Sequence, residues 1–281
     1  MIERRRRKLH RLNRFSQAGS LRNGLTILPS LFTIGNIFCG YYSIIATLRG
    51  NYDQAAIAIG FGYILDGLDG RIARLTGTSS NFGVQLDSLA DVLTFGIAPS
   101  MLAFSWGLSS LGTAPIDNHA RSLGWLATFA FVMCGALRLA RFNVQSQRPP
   151  EAGAKRYFVG LPIPAGAGLV ASIVHFFKAP LSTVGESLLW CVLVLLTAFL
   201  MISTIRYYSF KDLDLMRRRS VVLVGTGLLI GLVFYYSEQM LLSLAVVYAA
   251  SGPVAKLLQV VRKLTAPNAK PEETVHGNIK T

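Results

Sequence analysis

Eight runs of roughly twenty apolar residues divide this chain, and they constrain its fold more than any other feature. They cover about 28–48, 53–75, 84–108, 122–142, 161–178, 184–206, 217–236 and 239–262. A helix of twenty residues rises about 30 Å, the thickness of the hydrocarbon core of a bilayer. Of the 281 residues 52% are hydrophobic and only 15% charged, too few charges to solvate a water-soluble fold of this length. The expectation is an all-α polytopic membrane protein with eight spans. A transmembrane barrel is disfavoured because stretches such as 187–205 do not alternate apolar with polar residues. The fifth run is the shortest and opens on Pro162 and Pro164, which the first turn of a helix tolerates.

The connections set the orientation. Eight Lys or Arg fall in the first 22 residues, including the run from Arg4 to Lys8, which places the N-terminus in the cytoplasm. Alternate connections then hold Arg74, the group Arg148, Lys155 and Arg156, the group Arg206, Lys211, Arg217, Arg218 and Arg219, and finally Arg262, Lys263 and Lys270. The opposite connections hold only Arg49, Arg121 and Lys178. With an even number of spans both termini are cytoplasmic. The net charge of +14 is thereby explained by topology and by contact with anionic membrane lipids, and nucleic acid is not expected as a partner.

The basic start carries no cleavable signal, which suits a bacterial inner membrane. The domain reading is a basic cytoplasmic segment at 1–27, a transmembrane catalytic domain at 28–263 and a disordered cytoplasmic tail at 264–281. Cys39, Cys134 and Cys191 lie inside apolar runs without C-x-x-C spacing and read as small core residues.

Charge inside a span costs about 2.5–3.5 kcal/mol per residue on insertion scales, so it marks function. Here it is concentrated in 66–91: Asp66, Asp69, Gly70, Ala73 and Arg74, then, after a short turn, Gly83, Asp87 and Asp91. At about 100° per residue Asp69, Ala73, Asp66, Gly70 and Arg74 share one side of the second helix, and Gly83, Asp87 and Asp91 form one stripe on the third. Gly77 and the polar stretch 78–81 make the turn between them, so the two acidic stripes can face each other at the cytoplasmic side. Four carboxylates in an apolar cleft repel unless a cation compensates, and a hard divalent cation with oxygen ligands also gathers phosphate oxygens. The small residues between the acids leave room for a bulky ligand.

The pattern D-x-x-D-G-x-x-A-R, eight residues, G-x-x-x-D-x-x-x-D resembles the signature of the CDP-alcohol phosphatidyltransferase family at every fixed position. The resemblance implies a bundle of six core helices with two C-terminal additions, frequent homodimers, and a cytoplasm-facing site with two Mg²⁺ or Mn²⁺ ions. It implies that Asp66, Asp69 and Asp87 ligate metal, that Asp91 lies at the second ion and acts as general base, and that Gly70 and Arg74 contact the CDP moiety of CDP-diacylglycerol.

Four further stretches, 31–40, 95–100, 138–143 and 158–165, resemble the branch of that family whose acceptor is L-serine. Thr33 and Asn36 in the first are candidates for the CDP side, with helix packing as the equal alternative. Arg138 and Arg141 lie on one helical face, where a guanidinium suits the serine carboxylate, and Asn143 can hydrogen-bond the carboxylate or the amine. Snorkelling anchors are the other reading of the two arginines. Ser30 departs from the family's frequent Asn. Lys155 and Arg156 are either phosphate contacts or loop charge. Gly227 and Gly231 form a weak G-x-x-x-G in the seventh run.

Other readings stay open at this stage. The same chemistry could serve glycerol 3-phosphate, inositol phosphate or choline. A membrane prenyltransferase also uses Asp pairs, but on helices distant in sequence. A divalent-cation transporter would need acids midway through further spans, and the last three runs hold none.

Overall fold

The computed structural model describes residues 31–76, 81–109, 118–146, 157–208 and 235–265. The segment 1–27, Ser30, Lys155, Arg156, the run 217–236 up to residue 234 with Gly227 and Gly231, and the tail from 266 onward lie outside the described residues.

Helices cover seven of the eight apolar runs. They are α1 (Leu31–Leu48), α2 (Tyr52–Thr76), α3 (Asn81–Asp91) continuing through α4 (Ala98–Ala103), α5 (Asn118–Ser146), α6 (Ile163–Phe177), α7 (Val184–Ile202) and α8 (Ser237–Thr265). Among the described residues five helices are long and apolar enough to cross a membrane: 31–48, 82–108, 122–145, 184–202 and 237–262. The second helix falls outside that set because Asp53, Asp66, Asp69, Arg71 and Arg74 interrupt its apolar surface. At 15 residues, or about 22 Å, α6 is too short.

That short helix sits at the centre. Gly166, Ala167, Val170, Ala171 and Val174 are buried, with α2 and α8 packed against it, while α5 packs along α7. Small residues allow the close approach: a Cβ on Gly135 would stand 2.6 Å from the Ile163 side chain. The outward surfaces are apolar, with Phe38 on α1, Leu189 and Phe199 on α7, and Val247 and Leu257 on α8 exposed, as hydrocarbon solvent requires. Thr183 and Glu186 close a capping box at the start of α7, each side chain bonding the other's backbone N–H.

The third run, expected as one regular helix, is wound differently. Val92–Ile97 and Phe104–Leu108 are π-helical, with Ala98 N–H bonded to Leu93 O and Ser109 N–H to Phe104 O, five residues back. Two local causes are visible. Pro99 has no N–H to give to the preceding turn, which loosens the ladder there. Farther along, Trp190 Nε1 donates to Ala103 O at 3.0 Å, taking the carbonyl that a regular helix would pair with Gly107, and its ring packs where a Gly107 Cβ would be.

Two connections need glycine. Gly50, between α1 and α2, has φ +75°, and the turn is closed by Asn51 N–H to Ala46 O at 2.9 Å. Gly160 has φ +79°, and a Cβ there would lie 2.3 Å from Met201 O. It follows strand β1 (Tyr157–Val159), which pairs antiparallel with β2 (Arg206–Tyr208) and ties the chain before α6 to the chain after α7.

Asp53 is about 20 Å along α2 from Asp66. It meets His175 Nδ1 at 2.5 Å, and His175 Nε2 meets Ser237 Oγ at 3.2 Å. With the Lys178–Glu238 ion pair at 2.5 Å, this network fastens α2, α6 and α8 together at the end away from the acids.

Candidate metal and substrate site

The acidic stripes of α2 and α3 do converge. One carboxylate oxygen each from Asp66, Asp87 and Asp91 lies within 4.8 Å of the others. Asp69, a turn from Asp66, stands just apart from this trio but within electrostatic reach of Asp66 and Asp87. Its carboxylate accepts a hydrogen bond from Thr33 Oγ1 on α1 and is buried.

Asp91 owes its placement to the π segment that begins at the next residue. Thr94 donates to Asn36 O at 2.9 Å, locking that segment to α1. The approach is possible because Gly40 leaves the space: a Cβ there would stand 2.9 Å from Thr94 Cα. Gly62 does the same on α2, opening room for Thr94 and for the Asn36 amide. A π segment beside a functional carboxylate is a recurrent device for redirecting a side chain.

The donor chemistry fits a divalent cation. Three convergent carboxylates, a fourth nearby and a buried Asp91 Oδ1 without a hydrogen-bond partner among the described residues form an all-oxygen, anionic set suited to a hard ion. Such uncompensated anionic oxygen is costly to bury, and a cation supplies the missing partner.

The remaining expected residues are distributed as follows. Arg138 on α5 is buried, lies within electrostatic reach of Asp91 and has its guanidinium carbon 5.6 Å from the Phe142 ring centroid. Arg141 instead donates to backbone carbonyls, to Val159 O at 3.1 Å, Ile202 O at 3.4 Å and Ser203 O at 3.5 Å. It thereby braces the ends of β1 and α7. Asn143 Nδ2 donates to Ser88 Oγ at 2.8 Å, joining α5 to α3 one residue past Asp87. Gly70 is exposed on the acid-bearing side of α2, and the Arg74 side chain lies outside the described residues. Asn36 is buried, and its amide has no hydrogen-bond partner among the described residues. Sequence reasoning did not anticipate the Thr33–Asp69 and Ser88–Asn143 bonds; helix phase places residues on faces but does not say which face of another helix they meet.

Fold and site together define a polytopic helical membrane protein with a partly buried carboxylate cluster able to hold a metal beside an arginine. A sequence profile of the CDP-alcohol phosphatidyltransferase family matches residues 26–202, which include all four aspartates, and this chain belongs to that family. It is an integral membrane protein. The CDP-diacylglycerol–serine O-phosphatidyltransferase of Helicobacter pylori is 37% identical over 195 residues, covering 67% of this chain and 75% of the relative. The protein of that name from Bacillus subtilis is 37% identical over 188 residues, 66% of this chain and 93% of the relative. The one from Methanocaldococcus jannaschii is 34% identical over 193 residues, 69% and 79% respectively.

Proposed function

We propose that the protein is a phosphatidylserine synthase, which transfers the phosphatidyl group of CDP-diacylglycerol to the hydroxyl of L-serine and releases CMP. The observation that carries this is the convergence of Asp66, Asp87 and Asp91, with Asp69 beside them, opposite a buried Arg138. Its relatives' names favour serine over other acceptors.

In this reading Asp66, Asp69, Asp87 and Asp91 would hold two Mg²⁺ or Mn²⁺ ions, which when bound would neutralise the pyrophosphate and the charge that develops on departing CMP. Gly70, lacking a side chain, lets the CDP moiety approach α2, and Arg74 pairs with its phosphate. Arg138 takes the serine carboxylate, which leaves the serine hydroxyl toward Asp91. Asp91 Oδ1 accepts the hydroxyl proton as the new oxygen–phosphorus bond forms at the phosphorus bearing diacylglycerol. The bond from that phosphorus to the bridging oxygen breaks, and CMP departs with the electron pair.

The excess of cationic residues in alternate connections supports a site that opens toward the cytoplasm, in a bacterial inner membrane. The decisive experiment is CMP release by the purified protein in detergent with CDP-diacylglycerol and Mn²⁺, comparing L-serine, glycerol 3-phosphate, inositol phosphate and choline. Serine-dependent CMP supports the reading. Release with another alcohol keeps the metal site and replaces the acceptor, and silence with all of them rejects the reaction.

A further inference from the structure

The family profile ends at residue 202, yet the chain continues into a helix that packs against the central α6. Its attachment is specific. Tyr207, fully buried in the middle of β2, donates its hydroxyl to Ala249 O at 3.2 Å. Its ring occupies the space left by Gly252, where a Cβ would come within 2.4 Å. It also stacks at a tilt on the ring of Tyr248, with centroids 5.8 Å apart. The ring of Tyr207 thus packs directly against that of Tyr248.

Tyr248 also lies close to the site. Its phenol is partly buried and within electrostatic reach of the Arg138 guanidinium and of the Tyr63 phenol. Tyr63 lies one turn from Asp66 on α2 and is in electrostatic contact with it. Depth agrees. Tyr248 lies about three turns into α8 from Ser237, while Asp91 lies nearly three turns into α3 from the opposite end of the bundle. Both therefore fall near the middle of the bundle, and each is within electrostatic reach of Arg138.

We propose that Tyr248 and Arg138 together form the acceptor end of the cleft, with the Tyr248 hydroxyl donating a hydrogen bond to the carboxylate of the incoming amino acid. The inference rests on the reading of the protein as a serine phosphatidyltransferase. A phenol placed in an apolar surround needs a polar partner. A carboxylate has two oxygens, so one guanidinium and one phenol can hold it while the hydroxyl at the other end of serine extends toward Asp91. In this arrangement the C-terminal helix, outside the matched region, selects for a carboxylate-bearing acceptor. Ethanolamine, which offers the same hydroxyl and amine without the carboxylate, gains nothing from it.

The test is steady-state CMP release by the full-length protein with CDP-diacylglycerol and Mn²⁺, comparing wild type, Tyr248→Phe and Tyr207→Phe, each with L-serine and with ethanolamine. Tyr248→Phe keeps the ring stacked on Tyr207, and loss of one hydrogen bond to a charged group raises the KM for serine about tenfold. The KM for CDP-diacylglycerol stays fixed, and the preference for serine over ethanolamine narrows by the same factor. Tyr207→Phe lowers the melting temperature and leaves the serine KM unchanged. An unaltered serine KM in Tyr248→Phe, or an equal rise in Tyr207→Phe, overturns the assignment. Absence of serine-dependent CMP in the wild type would instead overturn the reaction on which it rests.

Discussion

Thr33 on α1 donates its hydroxyl to the carboxylate of Asp69 on α2, 36 residues away in sequence. The bond reaches Asp69 from outside the trio of Asp66, Asp87 and Asp91, so it orients a carboxylate without filling the place of a metal. Groups that orient metal ligands typically contribute 10- to 100-fold to affinity or activity. Thr33→Val, nearly isosteric but without the hydroxyl, is expected to raise the Mn²⁺ concentration for half-maximal CMP release by about that factor. Thr33→Ser should restore it. A titration of activity against Mn²⁺ in the two variants decides the matter, and equal curves would relegate Thr33 to packing.

Asp91→Asn removes the proposed proton acceptor while preserving shape and most of the helix contacts. General-base catalysis contributes about 10²- to 10⁴-fold, so kcat should fall by at least two orders of magnitude with the protein still folded. Measuring kcat beside a thermal melt separates lost chemistry from lost structure. Retention of more than a tenth of the activity would remove Asp91 from that role.

The clustered carboxylates make the stability of the wild type depend on metal more steeply than that of a variant lacking one of them. Without a cation the like charges of Asp66, Asp87 and Asp91 repel across at most 4.8 Å between their nearest oxygens. In EDTA, Asp87→Asn should therefore melt higher than the wild type. On adding Mn²⁺ to 100 times its dissociation constant the wild type should gain about 2.7 kcal/mol, and the variant much less. Crossing melting curves are the expected signature. Parallel curves would mean that the cluster holds no ion.

Gly40 seats the π segment that sets Asp91, and the nearest obstacle to a side chain there includes backbone, Thr94 Cα at 2.9 Å from a built Cβ. Gly40→Ala cannot be absorbed by rotating one flexible group. Overpacking of this kind costs about 1–3 kcal/mol. Here it should also displace Asp91, so activity should fall more than the melting temperature alone explains. Gly168→Ala, which meets nothing within 4 Å, is the control.

What the sequence made legible and what it did not follow from the range of the interactions. Apolar runs and the Asp spacing are local, and they located the helices and the facing acids of α2 and α3. The π segments were illegible because one depends on an indole that arrives from α7, as Trp190 bonds Ala103 O across 87 residues. The same holds for Asn143, whose amide meets Ser88. Helical phase placed Arg138 and Arg141 on one face, yet three residues of separation were enough to send them to different partners. Tyr248 had no sequence signal at all, since an aromatic residue in an apolar run reads as one more lipid-facing or core side chain.

The divergence of the two arginines gives the last prediction. Arg138 is buried within reach of Asp91, whereas Arg141 spends its donors on the carbonyls of Val159, Ile202 and Ser203. Lysine keeps the charge at either position but loses the planar fork of donors. At 138 the loss should fall on the acceptor: Arg138→Lys is expected to raise the serine KM about 10- to 100-fold, the equivalent of one or two charge-assisted hydrogen bonds. At 141 it should fall on the fold, because the carbonyls at the junction of β1 and α7 lose their partner. Arg141→Lys is expected to cost about 0.5–1.5 kcal/mol in stability with the serine KM nearly unchanged. Serine KM and melting temperature measured on both variants therefore form a two-by-two test. If the two variants shift the same quantity, the arginines act as one unit and the acceptor site extends to Arg141. If they shift different quantities, one helical face has been divided between substrate and scaffold.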